Sequence, residues 1–292
     1  MSMTHSVYTE SDVGDFFDET LHTYLSFWDS DGVLHTGFFA DHTDDDYRAA
    51  SDRTSEVLAA DAGIDRSSFV LDVGCGCGNF LIHLASRFGC RGEGLDLSNE
   101  RIKFAREKLA EENRGTRGHP LDIEFRHGSA TRMPYESGSF THVVSQDALF
   151  LVPDKPRSHA EIHRVLRPGG IFAFSDFLQP KREIGERART HVYDRVRWSS
   201  GYSLLEYQAA LQRAGFEIIL VRNLERHIKQ TYRVLGRTAR ERAAQTADTA
   251  AREWMLAFSA SCAEIQVAID HGEFGWGIFV ARKPTAPGGN DD

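Results

Sequence analysis

The segment Asp72-Val-Gly74-Cys-Gly76-Cys-Gly78 constrains this chain most, because it follows the apolar run Phe69–Val73 and precedes a helical pattern over Asn79–Phe88. Glycines placed between a strand and a helix let the backbone approach a ligand at the helix N-terminus. A dinucleotide fingerprint reads G-x-G-x-x-G and needs no acid before it. Here the spacing is G-x-G-x-G, and Asp72 stands two residues ahead of the first glycine. A carboxylate there repels a pyrophosphate but accepts hydrogen bonds from a cationic amino group. Asp96 follows eighteen residues after Gly78, at the end of the next apolar segment, where a carboxylate can accept both hydroxyls of a ribose. Helix capping is the plainer reading of both acids, but it does not explain their joint spacing around the glycines.

Downstream of Ser68 short apolar runs alternate with helical ones, the pattern of a parallel sheet covered on both faces. Strands are predicted at 69–73, 91–97, 122–127, 140–145, 171–176, 217–221 and 276–282. Helices are predicted at 79–88, 98–113, 155–166, 188–197 and 204–214, with a turn at Arg167-Pro-Gly-Gly170. Ahead of this region, Val13, Phe16, Phe17, Leu21, Tyr24, Leu25 and Trp28 recur at helical spacing behind a cap expected at Ser11. An aromatic turn at His35–Ala40, the acidic run Asp44–Asp46 and a helix over Tyr47–Ala62 follow. The division expected is an N-terminal helical cap (1–66), a core (67–224), a helical insertion (225–271), a last core strand (272–283) and a disordered tail (284–292).

Charge then narrows the partners. With 34 Lys and Arg against 43 Asp and Glu, the net charge of -9 disfavours nucleic acid, and a small molecule fits better. The arginines within 233–242 read as a solvated helix face. No run reaches the length of a membrane span, and Met1–Asp15 lacks the layout of a signal peptide, so a cytoplasmic protein with no membrane partner is expected. Cys75, Cys77, Cys90 and Cys262 lack metal-binding spacing; they read as reduced structural residues, and no metal is expected. A monomer and a homodimer both remain open.

Four segments in order, Val70-Leu-Asp-Val-Gly-Cys-Gly-Cys-Gly78, Gly94-Leu-Asp-Leu-Ser98, Gly128-Ser-Ala-Thr-Arg-Met-Pro134 and Arg164-Val-Leu-Arg-Pro-Gly-Gly170, resemble the class I S-adenosylmethionine-dependent methyltransferases. The resemblance implies a doubly wound α/β fold, a Rossmann-like sheet of seven mostly parallel strands whose last is antiparallel, with a helical cap. It implies S-adenosylmethionine as cofactor. Within that family the chain is most similar to the sarcosine/dimethylglycine methyltransferases, through Tyr47-Arg-Ala-Ala-Ser-Asp-Arg-Thr54, Ser145-Gln-Asp-Ala148, Pro153-Asp-Lys155, Asp194-Arg195 and Trp276-Gly-Ile-Phe-Val-Ala-Arg-Lys283.

Carried over by position, the resemblance gives Gly74 and Gly76 to the methionyl end, Asp96 and Arg101 to the ribose, and Ser129 with Ala130 to the adenine, with Asp72, Cys75, Leu97 and Gln146 as further expected cofactor contacts. Gln146 and Asp147 would face the methyl group and the acceptor. His35 is a candidate base in the aromatic turn, or a histidine that packs the loop. Tyr24, Tyr193, Trp198, Tyr202 and His227 are candidate acceptor contacts, as is Arg195 for a carboxylate; packing is the alternative for the residues after the fifth strand, and a surface helix position for His227. Three positions depart from the family's usual residues: Ser129 where an Asp is common, Phe17 where a Tyr is common, and Leu151 where a His is common. The expected reaction is N-methylation of a small amine or amino acid. Transfer to oxygen or carbon of a specialised metabolite, suggested by Leu151 and by Phe38, Phe39 and Phe150, stays open, as does a non-catalytic binding module.

Overall fold

The structure, a computed structural model, describes residues 7–27, 29–41, 46–115 and 120–285. Trp28, Asp44, Asp45 and most of the tail expected over 284–292 lie outside the described residues. Seven strands form one sheet: β1 (Phe69–Val73), β2 (Arg91–Asp96), β3 (Ile123–His127), β4 (Phe140–Gln146), β5 (Leu166–Leu178), β6 (Glu217–Asn223) and β7 (Gly275–Arg282). Their order is β3-β2-β1-β4-β5-β7-β6. All pairs are parallel except those of β7, which runs antiparallel to both neighbours.

Alternation along each strand feeds two cores. Val70 and Val144 face one, and Leu71, Val73 and Val143 face the other. Helices α2 (Tyr47–Ala62), α3 (Asn79–Phe88) and α4 (Asn99–Gly115) cover the first face, together with α8 (Glu225–Gln245) and α9 (Thr249–Asp270). Helices α5 (Lys155–Val165) and α7 (Leu204–Arg213) cover the second. Between β1 and β4 the chain changes its direction of travel across the sheet, which opens a crevice at the carboxyl ends of the strands. Register puts Asp72 beside Gly94 and Val144, so β1, β2 and β4 end at the same edge.

Three elements differ from expectation. Helix α1 (Glu10–Phe27) starts ahead of Ser11, because Thr9 and Asp12 exchange hydrogen bonds: Thr9 N donates to Asp12 Oδ2 at 2.7 Å and Asp12 N to Thr9 Oγ1 at 3.2 Å. Arg167–Gly170 is absorbed into β5, where the pairing with β4 slips between Phe140 and His142 and Gly169 takes a φ of 78°. The segment expected as a helix at 188–197 is a short α6 (Glu186–Ala188), a π-helical turn (Arg189–Tyr193) and a 3-10 turn (Asp194–Val196). Tyr193 stacks on Trp198 with ring centroids 4.3 Å apart. A regular α-helix would turn residues five apart by about 140°, so this burial requires rewinding.

Candidate functional site

The crevice holds a cavity of about 1010 Å³, part of it continuous with solvent. Its floor is the segment Val73–Cys77, where two glycines allow the turn. Gly74 takes a φ of 75°, and a Cβ there would lie 2.4 Å from Ala148 Cβ. Gly76 takes a φ of 52°, and a Cβ there would meet nothing nearer than Arg101 Nη1 at 4.0 Å, so the space above it is open. The loop is tied to β2 by main-chain donors: Gly74 N reaches Leu95 O at 2.7 Å and Gly76 N reaches Asp96 Oδ2 at 2.8 Å. Ser98 N donates to Asp96 Oδ1 at 2.9 Å, so both carboxylate oxygens are anchored while Asp96 still borders the cavity. Burial pushes the Asp96 carboxyl up, against the pull of those two amides and of Arg101.

Most residues read from the sequence converge here. Gly74, Cys75, Gly76, Asp96, Leu97, Arg101, Ser129, Ala130, His35, Gln146 and Asp147 all border this cavity. Asp72 does not: it sits behind the loop, buried, with Oδ2 unpartnered among the described residues. Burial and the charge of Asp96 push its carboxyl up to about 8. Tyr24 and Arg195 border an adjoining cavity, joined to this one where Tyr24 meets Arg101. Tyr193, Trp198, Tyr202 and His227 border neither. Tyr193 OH donates to Glu273 O at 2.8 Å and Trp198 Nε1 to Ser200 O at 2.8 Å, so these two rings satisfy themselves in the core. Tyr202 packs edge-on to Tyr207.

His227 works through a neighbour. Its Nδ1 accepts from Phe39 N at 3.0 Å, and its ring stacks on Phe38 at 4.1 Å. Thr231 Oγ1, one turn along α8, accepts from Gly37 N at 3.1 Å. Together they fasten the aromatic turn that carries His35. Asp147 fastens the same turn from below: Oδ2 accepts from Thr36 N at 2.7 Å, while Oδ1 accepts from Ser175 Oγ at 2.6 Å and Trp276 Nε1 at 2.7 Å. Asp147 takes a φ of 49°, an uncommon conformation for a side-chain-bearing residue that these three bonds hold in place. The His35 imidazole has no hydrogen-bond partner among the described residues. Burial holds its pKa below the ordinary value, although Asp147 pulls the other way. Gln146 Nε2 donates to Ser55 Oγ at 3.1 Å, which orients the amide beside the cavity.

One wall went unread in the sequence. Glu10, Val13, Gly14 and Phe17 of α1 border the cavity at i, i+3, i+4 and i+7. Glu10 Oε1 accepts from Ser129 Oγ at 2.8 Å and from Thr131 Oγ1 at 3.0 Å, which brings a carboxylate beside the position where an Asp is common. Asp18 binds Ser98 Oγ and accepts from Glu100 N at 3.2 Å, which docks α1 on the start of α4. Arg101 lies over the Phe17 ring at 4.8 Å, and its Nε and Nη2 are buried and unpartnered among the described residues. The helical stripe was visible as a pattern, but nothing local says which side of α1 meets the glycine loop.

Comparison with known proteins agrees with this architecture. Residues 71–174 match a family described as a methyltransferase domain. The chain is 30% identical over 269 residues to a sarcosine/dimethylglycine N-methyltransferase of Halorhodospira halochloris, a match covering 89% of this chain and 91% of the relative. It is 26% identical to a glycine/sarcosine/dimethylglycine N-methyltransferase of Actinopolyspora halophila, covering 94% of this chain and 49% of that protein. Among solved structures it shares its fold with the cyclopropane synthase MmaA2 from Mycobacterium tuberculosis, at a TM-score of 0.81 and 14% identity, covering 95% of this chain and 99% of that one.

Proposed function

Because the chain belongs to the class I S-adenosylmethionine-dependent methyltransferases, we propose that it methylates the nitrogen of a small amine or amino acid. The observation that carries this reading is the unpartnered His35 imidazole on the wall of the glycine-loop cavity. An amine reaches the site as an ammonium at pH 7 and must lose a proton before it can act as a nucleophile. An imidazole is neutral at that pH and can accept the proton on an unpartnered ring nitrogen. The names of the sequence relatives, which act on sarcosine and dimethylglycine, support the same class of acceptor.

The cavity fits the cofactor. S-adenosylmethionine supplies a methyl group on a sulfonium with a neutral leaving group. The open space above Gly76 admits it, and Asp96 keeps lone pairs for a ribose diol. Arg101, whose Nη1 lies nearest Gly76 and whose Nε and Nη2 are unpartnered among the described residues, suits the carboxylate of the methionyl end instead of the ribose. Glu10 Oε2, without a partner among the described residues, is placed to accept from the adenine amino group in place of an Asp at 129. Asp147 acts as a positioning residue, since its oxygens already hold Thr36, Ser175 and Trp276. Alignment and exclusion of water are the main tasks of such a site.

Leu151, Val152 and Pro153 give the cavity an apolar side, which favours a second reading: transfer to oxygen or carbon of a less polar acceptor. Phe38, Phe39 and Phe150 do not border the cavity and add nothing to it. An acceptor screen over glycine, sarcosine, dimethylglycine and aromatic hydroxyl compounds, read as release of S-adenosylhomocysteine, separates the two. Turnover of the amines is expected to be lost in His35→Ala and lowered less in His227→Ala, which loosens the turn but leaves the imidazole of His35 in place. Turnover only with hydroxyl compounds would replace the amine reading.

A further inference from the structure

The apolar side of the glycine-loop cavity is made by a stretch with little regular structure of its own. After β4 the chain forms one 3-10 turn (Leu149–Leu151), then Val152 and Pro153, before α5 begins. Leu149, Leu151, Val152 and Pro153 border the cavity, while the Phe150 ring packs on Phe177 at 4.6 Å and Trp198 at 5.1 Å. The main chain closes the turn with two bonds, Leu151 N to Ala148 O and Val152 N to Leu149 O, each 3.1 Å. The carbonyls of Phe150 and Val152 have no main-chain donor among the described residues.

Lys155, the first residue of α5, supplies the missing donors. It is buried, and its ammonium donates to Phe150 O at 2.8 Å, Val152 O at 3.0 Å and Ser200 O at 3.1 Å. All three N–H groups of an ammonium are thereby committed to carbonyls. From the opposite side Asp176, buried near the end of β5, accepts from Phe150 N through Oδ1 at 3.1 Å and from Tyr207 OH through Oδ2. Burial lowers the Lys155 pKa to about 8, although Asp176 pulls the other way. A cation withdrawn from water is costly even when its donors are met, and a methionine of similar length would fill the space without that cost. What the lysine adds is a hold on three carbonyls, two of them in the turn beside the cavity. Neither Lys155 nor Asp176 borders the cavity itself.

We propose that Lys155 and Asp176 are positioning residues for the acceptor: they fix the turn from both sides and so set how far Leu151, Val152 and Pro153 reach into the cavity. That role rests on the reading of the apolar side as the acceptor's, whichever atom is methylated. A turn freed from the ammonium would leave two carbonyls to seek other donors, and the three apolar side chains would move with it. The floor of the cavity, anchored on β2 through Gly74 N and Gly76 N, would stay where it is.

The test compares Lys155→Met, Lys155→Arg and Asp176→Asn with the wild type in the full chain. Turnover of sarcosine, dimethylglycine and catechol gives the acceptor KM, calorimetry gives the affinity for S-adenosylhomocysteine, and hydrogen exchange in the S-adenosylhomocysteine complex reads the amides of 149–152. Lys155→Met should raise the KM of each acceptor that the wild type uses about tenfold and speed exchange of the turn about tenfold, while S-adenosylhomocysteine affinity stays within about twofold. Lys155→Arg, which keeps a cation with donors, should lie nearer the wild type than Lys155→Met; a packing role alone would reverse that order, because methionine fits the space better. Asp176→Asn, which keeps an acceptor for Phe150 N but not the charge, should raise KM and exchange about threefold, and it carries the test if Lys155→Met fails to fold. Should the wild type use none of the three acceptors, the function proposed above fails, and exchange alone decides the role of the turn's two anchors. Unaltered exchange of the turn, equal losses of acceptor and cofactor affinity, or a Lys155→Arg variant worse than Lys155→Met would overturn the proposal.

Discussion

The two ends of the glycine-loop cavity are built by different means. At the donor end the floor is main chain, contributed by a few consecutive residues where β1 ends, with Asp96 and the α1 side chains set around it. At the acceptor end, His35 is held by Asp147 from the end of β4 and by the pinning residues His227 and Thr231 from α8, more than 180 positions away in the chain. A backbone cradle tolerates little variation because glycine conformation and close approach fix it. A cradle of side chains from distant segments can be refitted one residue at a time. Donor chemistry is therefore shared widely across a fold like this one, while acceptor choice belongs to the individual chain.

The sharpest way to break this contrast is to remove the acid that serves both loop and ligand. Asp96→Ala should weaken S-adenosylmethionine binding by about 100-fold or more in calorimetry, because two charge-assisted bonds to ligand and two backbone anchors go together. Asp147→Asn should instead cost about 2 kcal/mol of stability in urea unfolding, since one amide oxygen cannot serve three donors. Its turnover should fall further than its cofactor affinity. Were both variants to lose cofactor affinity equally, the two ends would be a single unit.

Acid tests the packing on the second face of the sheet, where α5 meets Tyr202 and Tyr207. His159 is buried, both ring nitrogens are unpartnered among the described residues, and burial lowers its pKa to about 4 from 6.5. A folded-state pKa below the unfolded one means that the unfolded chain takes up the proton first. The stability tied to this neutral ring is complete above pH 6.5 and is lost as pH falls toward 4. His159→Phe should flatten the difference in urea midpoint between pH 7 and pH 5. The smallest effect is expected at the adenine end: Glu10→Gln keeps the bonds from Ser129 and Thr131 but should weaken cofactor affinity about fivefold. The loss should shrink when hypoxanthine replaces adenine in the cofactor analogue, because the amino donor is then gone.

The same contrast explains what could be read from the chain. Strand β1, its glycines and Asp96 announce themselves between Phe69 and Asp96, because local geometry and chemistry demand those residue types. The seven strands and the antiparallel last one followed from alternation and from the resemblance, whereas their order in the sheet came only with the structure. The burial of Asp72 behind its own loop could not be read, since an acid at that position looks the same whether it faces in or out. Nor could the fate of Tyr193 and Trp198, whose stacking depends on a π-helical turn that no local propensity signals. Glu10 was invisible for a third reason: its partners Ser129 and Thr131 lie about 120 positions along the chain, so only docking of α1 brings them together.

Helix α1 is a wall of the glycine-loop cavity, its docking to the core made largely by side chains such as Glu10 and Asp18. Such a helix can lift away without breaking a strand pairing, so it belongs among the segments that open at low free energy. A ligand in the glycine-loop cavity that touches Glu10 and Phe17 adds to that docking. By reciprocity, a docked α1 must tighten that ligand by the same factor by which the ligand favours docking.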